Sequence, residues 1–196
     1  MAPFTFLTSI AAPLPIANID TDQILPKQFL TTLERTGLGA GLFHDMRFEE
    51  SGAPRPDFVL SRAEYQGVAI LVAGANFGCG SSREHAAWAL ADFGIRCIIA
   101  PSFGDIFTNN CLNNGILPVA LSDADVGALQ TEARGGADAF SVSLPDQTVK
   151  PPSGKRFRFE IAAADKRKLM QGLDDISLTL RRMPDIEAFE RGRAAH

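Results

Sequence analysis

Apolar residues run continuously in the middle of this chain and alternate with polar ones towards its end. Val68-Ala69-Ile70-Leu71-Val72 is apolar at every position, the pattern of a strand buried on both faces. A glycine-rich turn follows. Residues 83–93, with Trp88, Leu90 and Phe93 as apolar positions, then predict a helix, and Gly94 stands where a helix end wants a left-handed residue. Arg96-Cys97-Ile98-Ile99-Ala100, closed by Pro101, predicts a second buried strand. Residues 102–112 predict a short helix and residues 116–121 a third strand. This β-α-β-α-β run favours an α/β layer with parallel pairing.

The flanks are less regular. Phe4-Thr5-Phe6-Leu7-Thr8-Ser9-Ile10 reads as a strand broken by Pro13 and Pro15. Asn18-Ile19-Asp20-Thr21-Asp22 gathers turn-forming residues. Residues 29–57 are punctuated by glycine, proline and charge with weak periodicity, which predicts a long functional or disordered loop. Ser122 is placed to cap a helix reaching about Ala133. Residues 140–144 and 156–160 alternate as strands do, with residues 147–150 as a hairpin partner and helices near 163–171 and 184–193. The expectation is an α/β centre with added β-structure, as one domain over residues 1–196.

Composition narrows the function. At 45% hydrophobic residues the chain can bury a core without disulfides. A net charge of -4 and basic stretches as short as Lys166-Arg167-Lys168 and Arg181-Arg182 argue against a nucleic-acid partner. The first seven residues lack a basic leader, and no stretch approaches the roughly 20 apolar residues of a membrane span. Cys79, Cys97 and Cys111 show no paired spacing. They fit a reducing compartment, the cytoplasm by default, and make an iron–sulfur or zinc site built wholly by this chain unexpected.

Chemistry concentrates in Gly78-Cys79-Gly80-Ser81-Ser82-Arg83-Glu84-His85, between the first buried strand and its helix. Ser81 and Glu84 have the spacing of a capping box, with the glycines merely closing the turn. The same residues also fit an anion site. A helix N-terminus favours negative charge, and two hydroxyls with the Arg83 guanidinium suit a carboxylate. Phosphate-loop and dinucleotide spacings are absent. Cys79 and His85 allow a thiol nucleophile pair, although no third residue to orient them is evident and a small buried cysteine is the commoner case.

Asn76-Phe77-Gly78-Cys79-Gly80-Ser81-Ser82-Arg83-Glu84-His85-Ala86 resembles the G-x-G-S-S-R-E-H-A signature of the swivelling domain of the aconitase superfamily. Asn18-Ile19-Asp20-Thr21-Asp22-Gln23-Ile24-Leu25-Pro26 resembles the opening motif of isopropylmalate isomerase small subunits. Ile99-Ala100-Pro101-Ser102-Phe103, Asp105-Ile106-Phe107, Asn113-Asn114-Gly115-Ile116-Leu117-Pro118 and Gly172-Leu173-Asp174-Asp175-Ile176 continue the resemblance in order. It implies an α/β swivelling domain layered β/β/α around parallel strands, acting in a hydro-lyase of leucine biosynthesis. By the same resemblance Ser81 is the catalytic base, Ser82 and Arg83 bind the substrate carboxylate, and Asp22 supports Arg83 or Ser81. Gln23 stands where aconitase has histidine, so no role is transferred to it.

The resemblance also implies a missing half. The chain itself would bind no cofactor. A 4Fe–4S cluster is expected on a separate large subunit, without which the chain is inactive. The substrate would be a small 2-hydroxy dicarboxylate, with residues 29–57 setting specificity. Phe29, Leu30, Leu33, Leu38 and Leu42 are candidates for an apolar wall, and Arg35 for a substrate contact. His44 and Arg47 receive no role beyond loop structure. The neighbouring possibilities are small subunits of homoaconitase, citraconate or dimethylmalate hydratases, and beyond them a swivel domain that binds without catalysis.

Overall fold

In the computed structural model, residues 1–30, 34–80, 83–136 and 138–173 are described, together with residues 183, 190 and 191. The expected helix over 184–193 and the motif residues Asp174, Asp175 and Ile176 lie almost wholly outside them. Two four-stranded sheets organise the chain. Strands β1 (Phe6–Ser9), β2 (Ala11–Leu14), β3 (Ile70–Ala73), β4 (Cys97–Ala100), β5 (Leu117–Ala120), β6 (Phe140–Ser143), β7 (Thr148–Lys150) and β8 (Phe157–Arg158) divide evenly between them. One sheet is parallel, in the order β2-β3-β4-β5, and the other antiparallel, in the order β1-β6-β7-β8.

Alternation along β3 and β4 shows why their sequences are apolar throughout. Ile70, Val72, Cys97 and Ile99 face one hydrophobic cluster, while Leu71, Ala73, Ile98 and Ala100 face another. The first cluster is completed by Val126 and Leu129 of helix α5 (Asp123–Ala133) and by Phe140, Val142, Val149 and Phe157 of the antiparallel sheet. The second is completed by Ala86, Ala89 and Leu90 of helix α3 (Glu84–Phe93) and by Phe107 and Cys111 of helix α4 (Asp105–Asn113). The parallel sheet is thus the shared middle layer of the expected α/β arrangement. Helix α5 begins at Ser122, whose side chain accepts from the Asp125 N–H, and Gly94 ends α3 at φ +108°. Helix α6 (Ala163–Gln171) follows the antiparallel sheet.

Two local expectations are corrected. Pro13 does not break the N-terminal β-structure; it lies inside β2, an outer strand of the parallel sheet, where a missing N–H costs no ladder bond. The described residues of 29–57 are not a disordered loop. They contain a 3₁₀ turn at Leu38–Gly41 and the short helix α2 (His44–Arg47). Leu38, Leu42 and Phe43 are buried in the core, and the Gly39 N–H donates to Asp92 of α3 at 2.7 Å. A Cβ at Gly39 would sit 2.8 Å from the Phe93 nitrogen, so glycine lets this segment lie directly on α3. Arg47, half-buried, donates to the carbonyls of Gly39 and Leu42 at 3.4 and 3.1 Å, a loop-building role.

Candidate active site

Three loops leave the C-terminal ends of β2, β3 and β4 and are stitched into one floor, in the position where open parallel sheets hold ligands. The Asn18 N–H donates to the Ala75 carbonyl at 2.8 Å, that of Gly78 to Ile19 at 2.7 Å, and that of Thr21 to Cys79 at 3.1 Å. From the third loop, the Ser102 carbonyl accepts from the Phe77 N–H and its hydroxyl from the Asn76 N–H. Asn76 Nδ2 also donates to Asn18 Oδ1 at 2.9 Å. The two motifs that seem remote in sequence are therefore one structure.

Local chemistry shapes each loop. Asp20 caps helix α1 (Thr21–Ile24) with a complete capping box: its carboxylate accepts from the Gln23 N–H, and Gln23 Oε1 accepts from the Asp20 N–H. Gln23 thus has a structural task. Phe77, fully buried, meets Phe43 and Phe107 edge to face and anchors the signature loop in the core. At Gly80, φ is +89°.

Helix α3 does not start where the capping-box reading places it. Helix α3 starts at Glu84 with Arg83 as its cap, so Glu84 occupies the first helical position and not the third. The Glu84 carboxylate turns elsewhere, accepting from Trp88 Nε1 at 3.1 Å and from Asn114 Nδ2 at 3.2 Å. Arg83 turns to the other loop and forms an ion pair with Asp22. Asp22 and Arg83 are thereby brought together. Ser81, Ser82 and Leu33 lie outside the described residues.

Arg35 belongs to this region too. Its guanidinium stands 3.9 Å from the Glu84 carboxylate and 5.0 Å from the centre of the Trp88 ring. Its side chain remains 64% exposed. Phe29 and Leu30 are partly buried, but Leu38 and Leu42 are sealed in the core and drop out of any apolar wall. Their hydrophobicity serves packing against α3. His85 meets Trp88 at a tilt of 50°, with ring centres 4.6 Å apart, an aromatic contact along α3. The Glu84–Trp88 contact has the i,i+4 spacing of one helix face and was legible in the sequence; Asn114 stood out only within a motif of the resemblance.

The thiols divide clearly. Cys97 and Cys111 are buried in the core, and burial pushes both far above the usual thiol range. Protonated thiols on opposite faces of the sheet make poor cluster ligands, and Cys79 alone is partly exposed. The cysteines of this chain do not fit a 4Fe–4S cluster, and among the described residues no grouping of histidines, cysteines and carboxylates could hold a metal ion. Among them, too, no helix is long and apolar enough to cross a membrane.

The aconitase C-terminal domain family matches residues 1–124 of this chain. The chain is 59% identical over 194 residues to a 3-isopropylmalate dehydratase small subunit from Phenylobacterium zucineum, covering 99% of this chain and 96% of that protein. It is 58% identical to the protein of the same description from Rhodospirillum rubrum, covering 99% and 94%. A crystal structure of 3-isopropylmalate dehydratase from Methanocaldococcus jannaschii superposes with a TM-score of 0.69 at 24% identity, covering 94% of this chain and 99% of that one. That likeness bears on the fold.

Proposed function

We propose, from the premise that this chain belongs to the aconitase C-terminal domain family among the 3-isopropylmalate dehydratase small subunits, a division of the catalytic labour between its residues and a partner. The chain is the small subunit of a hydro-lyase that converts 2-isopropylmalate to 3-isopropylmalate, a step of leucine biosynthesis, and it works with a large subunit. The related hydratases are not what the similar proteins are named for. Three thiols without a disulfide among them suit a cytoplasmic address.

The reaction needs a base for a proton on carbon next to a carboxylate. Ser81 is that base in our reading. Its Oγ, as the alkoxide, takes the proton as the neighbouring C–O bond breaks, and the hydroxide leaves as water with a proton from solvent. Rehydration puts a hydroxyl on the carbon that lost the proton and returns a proton to the carbon that lost the hydroxyl. A serine hydroxyl is a weak acid, so its alkoxide needs positive surroundings. Arg83 and the start of α3 supply them. Ser82 and Arg83 hold the carboxylate, and Asp22 holds Arg83. The large subunit carries the 4Fe–4S cluster, which contributes Lewis acidity towards the hydroxyl. The substrate is a small 2-hydroxy dicarboxylate, with Arg35 as a second cation for it.

The observation that carries this reading is the Asp22–Arg83 ion pair, which joins the two motifs at the end of the parallel strands. The test is reconstitution with a cluster-bearing large subunit. We expect no turnover from the small subunit alone, turnover of 2-isopropylmalate by the pair, and a loss of about 10²- to 10⁴-fold in kcat for Ser81→Ala. Unchanged kcat in Ser81→Ala would remove the base, and preference for citrate or homocitrate would replace the substrate.

A further inference from the structure

The Glu84 carboxylate is held by two neutral donors. Oε1 accepts from Trp88 Nε1, one helical turn further along α3, and from Asn114 Nδ2 at the end of α4. Asn114 is itself held, since Nδ2 also donates to the Asn110 carbonyl at 2.8 Å. A Trp N–H in packed surroundings needs an acceptor, so Trp88 and Glu84 stabilise each other's geometry. The indole ring then offers a flat face at fixed orientation, with His85 against it.

Arg35 uses both parts of this platform. Its guanidinium lies over the Trp88 ring at 5.0 Å and beside Glu84 at 3.9 Å. Stacking and ion pairing restrain a planar guanidinium without occupying all five of its donors. The side chain is largely exposed, so those donors stay accessible. Glu84 follows Arg83 directly in the chain, which places the Arg35 platform at the start of α3, beside the capping Arg83. A dicarboxylate carries two charges, and one arginine neutralises only one.

We infer that Glu84 and Trp88 are positioning residues that hold Arg35 at the mouth of the site as the second cation for the dianionic substrate. The inference rests on the proposed function for its substrate and on the contacts among Arg35, Glu84 and Trp88 for its geometry. Restraint of Arg35 in advance reduces the entropy lost when substrate binds. The contribution is to binding in general and not to the transition state alone, so it is read in KM.

The experiment has two arms. In the reconstituted complex, Glu84→Gln, Trp88→Phe and Arg35→Ala should each raise KM for 2-isopropylmalate about five- to twentyfold, with kcat within about twofold. Glu84→Gln on top of Arg35→Ala should add little, because Glu84 acts only through Arg35. Arg35→Lys should recover part of the loss by restoring charge without the planar stack. A fall in kcat at constant KM, or additive KM effects in the double variant, overturns the inference. In the small subunit alone, Trp88 is the sole tryptophan, and Arg35→Ala should shift its emission; an unchanged spectrum also overturns it. If the wild-type complex fails to turn over 2-isopropylmalate, the proposed function fails, and the emission arm still decides whether Arg35 docks.

Discussion

Gly78 meets two constraints at once. Its φ is +72°, and a Cβ there would lie 2.1 Å from the Phe107 ring, which is itself buried in the core. Next to it, a Cβ on Gly104 would lie 2.5 Å from the Gly78 carbonyl oxygen. The signature and third loops can approach only as bare backbone, and their approach sets where Arg83 leaves the floor. Gly78→Ala should therefore destabilise the protein by about 2–4 kcal/mol, combining left-handed strain with an overpacked contact. Urea unfolding checks this, and a loss under about 1 kcal/mol would show that Phe107 moves aside easily. The sequence made glycine's permissiveness visible here but not its neighbour. Phe107 comes from a separate helix, and nothing in local spacing announces that its ring fills the place of a side chain. Glu84 carries the same lesson. Its distance from Ser81 suited a capping box, yet its partners are Trp88, four residues on along the same helix, and Asn114 from α4, a donor that a local pattern cannot contain.

Among the elements, β3 and β4 were the most legible, because strands covered on both faces must be apolar at every position. Helix α5 was equally plain from its Ser122 cap. The outer strand β2 was not, since Pro13 weakens a strand signal unless the strand is known to lie at an edge. Residues 38–43 were missed for a related reason: three buried anchors spread over a 3₁₀ turn and a left-handed Phe43 have neither helical nor strand periodicity. The buried strand and helix also carry a pH dependence. Cys97 on β4 and Cys111 on α4 have thiols raised above their ordinary value of 9.0. Below about pH 9 folded and unfolded chains both keep these protons, and the thiols contribute no slope. Above it the unfolded chain releases protons that the folded chain retains, so stability falls as pH rises, by up to about 1.4 kcal/mol per pH unit for each thiol. Urea midpoints from pH 8 to 10 should fall more steeply in wild type than in the Cys97→Ala, Cys111→Ala double variant. Parallel slopes would mean that water reaches the thiols in the native state.

At the scale of the whole molecule, the parallel sheet joins what would otherwise be two small cores. Every second side chain of β3 and β4 belongs to each cluster, so neither layer can leave without exposing half of both strands to water. At about 25 cal/mol per Å² of apolar surface, that exposure makes a half-folded state costly. We propose on this ground that the chain is one cooperative domain, with residues 29–57 as an integral part through Gly39, Leu42 and Phe43. Two probes report on different layers. Trp88 packs against the cluster of α3, whereas far-UV circular dichroism averages both sheets and all helices. Their urea transitions should coincide with a single midpoint and slope, as two-state unfolding requires. An earlier transition in Trp88 emission would mean that α3 and the signature loop unfold as a separate unit. The active-site floor would then be the least stable layer, and docking to the large subunit, not the parallel sheet, would be what holds Arg83 against Asp22.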